Sequence, residues 1–155
     1  MSARKRHKGN SIGEGFLAVP YSVLNSPLFP SLSPHAVKLL IDVAAQYRGD
    51  NNGDLSIAWK LMQPRGWRSE ATLHKVKREL LMAGFLYESR KGRRPNTCSL
   101  FALTWAAFDD SDKYDPGARA GFTRGEYRFK APLTAVANSR KNAGPTSPAE
   151  VGQAA

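Results

Sequence analysis

The residues from Ser69 to Trp105, SEATLHKVKRELLMAGFLYESRKGRRPNTCSLFALTW, constrain the fold more than any other part of the chain. Their first half carries an apolar stripe at the spacing of one helix face, formed by Leu73, Val76 and Leu80. Ser69 stands before the stripe as a typical N-cap residue. Gly84 follows it where glycine adopts the left-handed conformation that ends many helices. This half therefore predicts an amphipathic helix between Ser69 and Gly84.

The second half predicts a hairpin with a basic tip. Phe85 to Ser89 alternates like a strand, KGRRPN turns the chain, and Thr97 to Trp105 returns it as a second strand. A basic helix that leads into such a hairpin favours a nucleic-acid-binding unit. The alternative is a solvated helix face followed by a hairpin that carries charge for solubility.

Further helices are predicted upstream. Pro20 predicts the start of a short helix through Leu24. Ser33-Pro34 predicts the start of a helix that runs to about Arg48. Its expected apolar stripe consists of Val37, Leu40, Ile41, Ala44 and Tyr47, and Leu39 and Val43 are expected to make burial broader than one face. Leu55 is expected to extend as a short strand beside the hairpin, and Ser56 to cap a helix from Ile57 to about Gln63. The predicted fold class is therefore α+β, a winged helix-turn-helix with a three-helix core and a β-hairpin wing.

The charge of the chain is concentrated on the same segment. The sequence carries 23 basic and 13 acidic residues, a formal net charge of +10. Between Lys60 and Arg94 there are ten basic residues and three acidic ones, so this stretch alone has a net charge of +7. Such a local surplus favours an anionic partner, with nucleic acid the commonest and a membrane surface the next.

The single cysteine and the apolar runs predict the compartment. Cys98 cannot form a disulfide within the chain, and it is expected to be a small buried residue of the second strand. No stretch approaches the roughly 20 apolar residues that span a bilayer. We therefore expect a protein that does not insert into membranes and is cytoplasmic, or nuclear if its host has a nucleus.

The segment GWRSEATLHKVKRELLMAGFL, the basic loop and SLFALTW together resemble winged helix-turn-helix proteins of bacterial prophages, plasmids and integrated elements. The resemblance covers roughly Phe16 to Asp110. It implies a cytoplasmic DNA-binding module that controls transcription or replication of a mobile element. The connection from Pro64 to Arg68 is longer than the three or four residues of the simplest helix-turn-helix.

The predicted partner is double-stranded DNA, contacted by the helix and by the wing. The first residues of a recognition helix meet base edges, which favours Glu70, Lys75 and Arg78 as base contacts. Thr72 serves either as a contact or as part of the helix cap. The predicted DNA-binding residues are Arg65, Arg68, Ser69, Glu70, Thr72, His74, Lys75, Arg78, Arg90, Lys91, Arg93 and Arg94.

Catalysis is not predicted. The chain has no G-x-x-x-x-G-K-[ST] phosphate loop, and its three histidines are scattered, so we expect no enzyme activity, no cofactor and no metal. The aspartates between 109 and 115 are expected to form a solvated turn. A protein-interaction or RNA-binding winged-helix module without sequence-specific DNA recognition is the alternative, and a homodimer is left open.

The predicted organisation has three parts. Residues 1–15 are polar and basic and are expected to form a disordered arm. Residues 16–130 form the winged helix-turn-helix domain with a C-terminal extension. Residues 131–155, rich in Ala, Ser, Pro and Gly, are expected to form a disordered tail.

Overall fold

The structure, a computed structural model, describes residues 15–131. The predicted arm and tail lie outside the described residues, apart from Gly15 and Ala131. The described part is α+β, as predicted. Its helices are α1 (Tyr21–Leu24), α2 (Pro34–Ala44), α3 (Trp59–Met62), α4 (Glu70–Met82) and α5 (Ala118–Gly121), with 3₁₀ turns at Phe29–Ser31, Gln63–Arg65 and Glu126–Arg128. Its strands are β1 (Leu86–Arg90) and β2 (Leu100–Leu103).

The sheet is antiparallel and is built around β2. Strand β1 pairs with β2 so that Leu86 lies opposite Leu103, with a bulge next to Arg90. On the other edge of β2, Leu55 and Phe101 exchange two backbone hydrogen bonds of 3.1 and 2.8 Å. Leu55 is therefore a one-residue third strand, which confirms its predicted place beside the hairpin.

Helix α2 begins as predicted but ends early. The Ser33 hydroxyl caps its first turn. The helix stops at Ala44 rather than Arg48, because the Asn51 side chain forms hydrogen bonds with the backbone groups that follow. The Asn51 amide accepts from the Arg48 N–H at 2.7 Å and donates to the Gln46 carbonyl at 2.9 Å. The loop thus satisfies groups that a longer helix would have paired internally.

Burial of α2 is broader than one face, as predicted from Leu39 and Val43, but the predicted place of Ile41 is wrong. Its fully buried apolar residues are Ala36, Leu39, Leu40, Val43 and Ala44. Ile41, expected inside, is 42% exposed. So many residues of this helix are apolar that periodicity alone did not place the centre of the buried face.

The helix predicted after Ser56 is present, but its predicted cap and start are wrong. Helix α3 begins only at Trp59, with Ala58 as its N-cap. The side-chain amide of Gln46 holds Ser56 extended, since its Nε2 donates to the Ser56 carbonyl at 2.8 Å and its Oε1 accepts from the Ser56 N–H at 2.9 Å. These two bonds imitate strand pairing and delay the helix.

The connection between α3 and α4 is shorter than the sequence indicates. The 3₁₀ turn Gln63–Arg65 continues α3, with Pro64 inside it. Gly66 then adopts a positive φ of 90°, which glycine reaches without strain. Four residues, 66–69, separate this turn from α4.

Helix α4 has the predicted start and the predicted buried face. The Ser69 hydroxyl accepts from the Thr72 N–H at 3.2 Å. Leu73, Val76 and Leu80 are buried in the core. The predicted N-cap and apolar stripe are therefore confirmed.

The end of α4 requires glycine for two reasons. Gly84 has a φ of +77°, and the N–H groups of Gly84 and Phe85 donate to the carbonyls of Leu81 and Leu80 at 3.2 and 3.1 Å. A Cβ at Gly84 would also lie 2.9 Å from the backbone nitrogen of Tyr127. The helix end is thus packed directly against the C-terminal segment.

That C-terminal segment belongs to the fold. Tyr127 is almost fully buried, and its ring stacks on Phe85 with centroids 5.1 Å apart. Its hydroxyl lies 3.0 Å from the Ser22 hydroxyl, which ties the segment to α1. The prediction that the domain extends to about residue 130 is therefore consistent with this packing.

Candidate nucleic-acid interface

The face of α4 opposite its buried stripe is exposed and basic. Helical geometry places Lys75 and Arg78 on this face and His74 at its edge, and all three are exposed. Within residues 15–131, neither Lys75 nor Arg78 forms an ion pair with a carboxylate. Their charge is therefore directed at solvent without a compensating group.

One edge of α4 fixes the helix to the scaffold. The Glu79 carboxylate accepts from the Ser33 N–H at 2.7 Å and from the Ser33 hydroxyl at 2.8 Å. Thr72 lies on the same edge, is half-buried, and donates its backbone N–H to the Ser69 cap. Ser69 and Thr72 thus act in the helix start, and Glu79 sets the position of α4 against α2.

The other edge of α4 faces the hairpin. The Lys77 Nζ lies 3.3 Å from His74 Nδ1, and His74 Nε2 lies 3.8 Å from a Glu70 carboxylate oxygen. Lys77 Nζ also lies 5.9 Å from the centroid of the Phe101 ring on β2. The sequence prediction did not include Lys77, because its proximity to the hairpin depends on the tertiary fold.

A recess of about 270 Å³ separates this edge from the base of the hairpin. Leu73 and Phe101 form part of its apolar floor, and Glu70, Lys77 and Ser99 contribute polar groups. The recess shows that the start of α4 and the base of the hairpin border one surface of the molecule.

The hairpin tip, which we call loop 91–99, is closed by its own hydrogen bonds. Arg93 and Thr97 exchange two backbone bonds, each of 2.9 Å, and the Ser99 hydroxyl accepts from the Gly92 N–H at 2.9 Å. Arg93 and Arg94 lie exposed at the end of this closed loop and, within residues 15–131, form no ion pair.

The predicted place of Cys98 is wrong. Strand β2 begins at Leu100, so Cys98 lies in the loop and is exposed rather than buried. The loop's internal bonds occupy the backbone that would otherwise have extended the strand. The Cys98 carbonyl accepts hydrogen bonds from the Arg90 guanidinium.

The base of loop 91–99 is held from two directions. The Arg90 guanidinium donates to the Cys98 carbonyl through Nε at 3.0 Å and Nη2 at 2.9 Å. The Asp115 carboxylate accepts from the Lys91 N–H at 2.8 Å, and the Asp115 N–H donates to the Ser89 carbonyl at 3.0 Å. Arg90 therefore orders the loop, and Asp115, expected in a solvated turn, anchors it.

The connection before α4 is anchored by Asp42. Its nearly buried carboxylate accepts from Lys38 Nζ at 2.7 Å, Arg65 Nε at 2.9 Å and the Trp67 indole N–H at 2.8 Å. Burial raises the pKa of Asp42, but these three hydrogen bonds outweigh burial, and its pKa lies below the ordinary value of 3.8. Arg65 is thus engaged within the protein.

Arg68 differs from its neighbour Arg65. It is exposed, and among the residues that the structure describes it has no ion-pair partner. It lies one residue before the Ser69 cap of α4. Of the two predicted contacts in the connection, Arg68 is the one whose charge faces solvent.

The described residues contain neither a candidate metal site nor a membrane-spanning helix. Between residues 15 and 131 there is no group of three or more His, Cys, Asp or Glu side chains arranged to hold a metal ion. No helix in that range is both long enough and apolar enough to cross a membrane. Comparisons of the chain with protein-family models, with curated proteins and with solved structures found no match.

Proposed function

We propose that this chain binds double-stranded DNA as a winged helix-turn-helix. Helix α4 is the recognition helix, and loop 91–99 is the wing. The four-residue connection from the 3₁₀ turn to α4 has the length typical of this motif, and the three-stranded sheet supports the wing.

The observation that carries the proposal is the set of uncompensated cations on α4 and at the loop tip. Lys75, Arg78, Arg93 and Arg94 are exposed, and they belong to two elements that border a common recess. A solubility role would be served equally by cations that are paired with carboxylates. Phosphate neutralisation favours cations without such partners.

The two elements have different tasks in the proposed complex. Lys75 and Arg78 reach guanine O6 and N7 in the major groove. Arg68, Arg93 and Arg94 contact phosphates, which supply most of the affinity and no sequence information.

The biological role that we propose rests on the resemblance to winged helix-turn-helix proteins of mobile elements. In that role the chain controls transcription or replication of a phage, plasmid or integrated element in the bacterial cytoplasm. The DNA-binding surface supports either form of control equally.

The test is fluorescence anisotropy with labelled duplex DNA over a range of salt concentrations. We expect the logarithm of the binding constant to fall linearly with the logarithm of salt, with a slope of about −0.9 per neutralised phosphate. Arg78→Gln should weaken binding. Arg119→Gln, the same change at a residue paired with Asp110, should not. Equal effects of both variants would show that only net charge matters and would contradict the proposed surface.

A protein-interaction module is the second candidate, favoured by exposed apolar side chains away from the basic surface. Tyr21 is 82% exposed, and Leu24 and Ile41 are also exposed. Absence of any shift of duplex DNA in a gel, with elution from heparin at low salt, would favour this candidate. An equal affinity for an RNA duplex would instead favour an RNA-binding module. The major groove of A-form RNA is too deep and narrow for α4 to enter, so the proposed contacts could not form there.

A further inference from the structure

We infer that the recess between α4 and the hairpin base seats one backbone phosphate of the bound duplex, with Lys77 as its principal ligand. The inference rests on the proposed function. It adds Lys77 to the residues that we propose to contact DNA. It assigns a role to the lysine of α4 that lies on the hairpin edge.

The path of the DNA strand follows from the two elements that contact it. In the proposed complex the recognition helix lies in the major groove, and the wing reaches the neighbouring minor groove. These two grooves are separated by one sugar-phosphate strand. In this arrangement the strand passes over the recess of about 270 Å³, which is lined by α4, by Cys98 and Ser99 of the loop, and by residues 57–59.

Lys77 is suited to this position by its surroundings. Its side chain is half-buried, and its ammonium group lies over the Phe101 ring. The contact with His74 Nδ1 at 3.3 Å uses one of its three N–H donors. Within residues 15–131 Lys77 has no carboxylate partner, so its charge and its other donors are available to a phosphate.

Two neighbours of Lys77 line the same recess and should have opposite effects on a bound phosphate. The Ser99 hydroxyl accepts from the Gly92 N–H, which leaves its own hydrogen to donate to a phosphate oxygen. The Glu70 carboxylate also lines the recess, and its negative charge opposes a phosphate there. Removal of the Lys77 charge and removal of the Glu70 charge should therefore change affinity in opposite directions.

The first measurement is the salt dependence of binding for Lys77→Met, Lys77→Arg and Glu70→Gln. Lys77→Met should reduce the slope by about 0.9, the value for one phosphate, on any duplex sequence. Lys77→Arg should keep the wild-type slope, and Glu70→Gln should tighten binding to random DNA. Lys130→Met, a matched change at a residue paired with Glu126, should leave the slope unchanged. An unchanged slope in Lys77→Met, with an unchanged unfolding midpoint, overturns the inference.

The second measurement identifies the phosphate. Duplexes that carry one neutral methylphosphonate, moved position by position, are titrated with the wild type and with Lys77→Met. At one position the wild type should lose affinity, and Lys77→Met should lose nothing further. If both proteins lose the same factor at every position, Lys77 does not hold a phosphate.

The two proposals fail in different ways. No binding of the wild type to any duplex overturns the proposed function and this inference together. Normal wild-type binding, with no methylphosphonate position that couples to Lys77, overturns this inference alone.

Discussion

Helix α4 and loop 91–99 both present positive charge, but they hold it differently. In α4 the backbone pairs within the helix and through the Ser69 cap, so Lys75 and Arg78 are left to face solvent. In the hairpin, the first basic residue, Arg90, donates to the Cys98 carbonyl and orders the loop. Only the residues further out, Arg93 among them, are exposed without a partner in the described range.

The difference arises from how each element satisfies the hydrogen-bonding groups of its backbone. A helix satisfies most of its own N–H and C=O groups, so its side chains are available for other contacts. An irregular loop must recruit side chains for that purpose. A count of basic residues in the sequence therefore overstates the number of side chains that the hairpin can direct at a partner.

The largest expected effect is a loss of stability of the core on which both α4 and the hairpin depend. Leu80→Ala removes a fully buried side chain of α4 and should lower the free energy of unfolding by about 2–5 kcal/mol. Met82→Ala, on the exposed side of the same helix, should change it by less than about 0.5 kcal/mol. Urea denaturation measures both. Similar losses would mean that the buried face of α4 has been assigned incorrectly.

The next effect concerns base recognition by α4. Replacement of Lys75 or Arg78 by Ala should reduce the preference for a selected site over random DNA by about 1–3 kcal/mol if the lost contact is bidentate. Competition titrations with both duplexes measure this preference. An equal loss on both duplexes would make these side chains backbone contacts, as we propose for the loop.

A smaller and uniform effect is expected from the loop. Arg93→Ala with Arg94→Ala should weaken binding to all sequences alike and flatten the salt dependence by up to about two phosphate equivalents. Anisotropy titrations at several salt concentrations test this. An unchanged slope would show that loop 91–99 does not touch the duplex.

The smallest effect is expected in acid and concerns the anchor of α4. Because the folded-state pKa of Asp42 lies below 3.8, its carboxylate stabilises the protein above that pH, and this contribution is lost as pH falls through the folded pKa. The difference in unfolding free energy between the wild type and Asp42→Asn should therefore shrink in acid. If the difference in unfolding free energy stayed constant with pH, it would contradict the lowered pKa of Asp42 in the folded protein.

Local signals made α4 predictable. The Ser69 cap, the stripe through Leu73 and the terminal Gly84 all act within a few residues of the helix, and the structure contains each of them. The extended conformation of Ser56 depends instead on Gln46, ten residues away. No pattern around Ser56 carries that information.

The candidate site was predictable to the same extent. Spacing alone separated Lys75 and Arg78 from the buried stripe. The role of Lys77 depends on the position of Phe101, and the role of Arg90 depends on the closed loop around Cys98. Both are tertiary contacts that the sequence does not encode locally.

The most direct test of the account attaches an iron chelate to a single cysteine on each element. In a Cys98→Ser background, Arg78→Cys should direct DNA cleavage through the major groove, and Arg94→Cys should direct it through the adjacent minor groove. Cleavage patterns on both strands of one bound fragment distinguish the two grooves. If the two positions cut in the same groove, or if neither cuts bound DNA, α4 and loop 91–99 do not grip a duplex together.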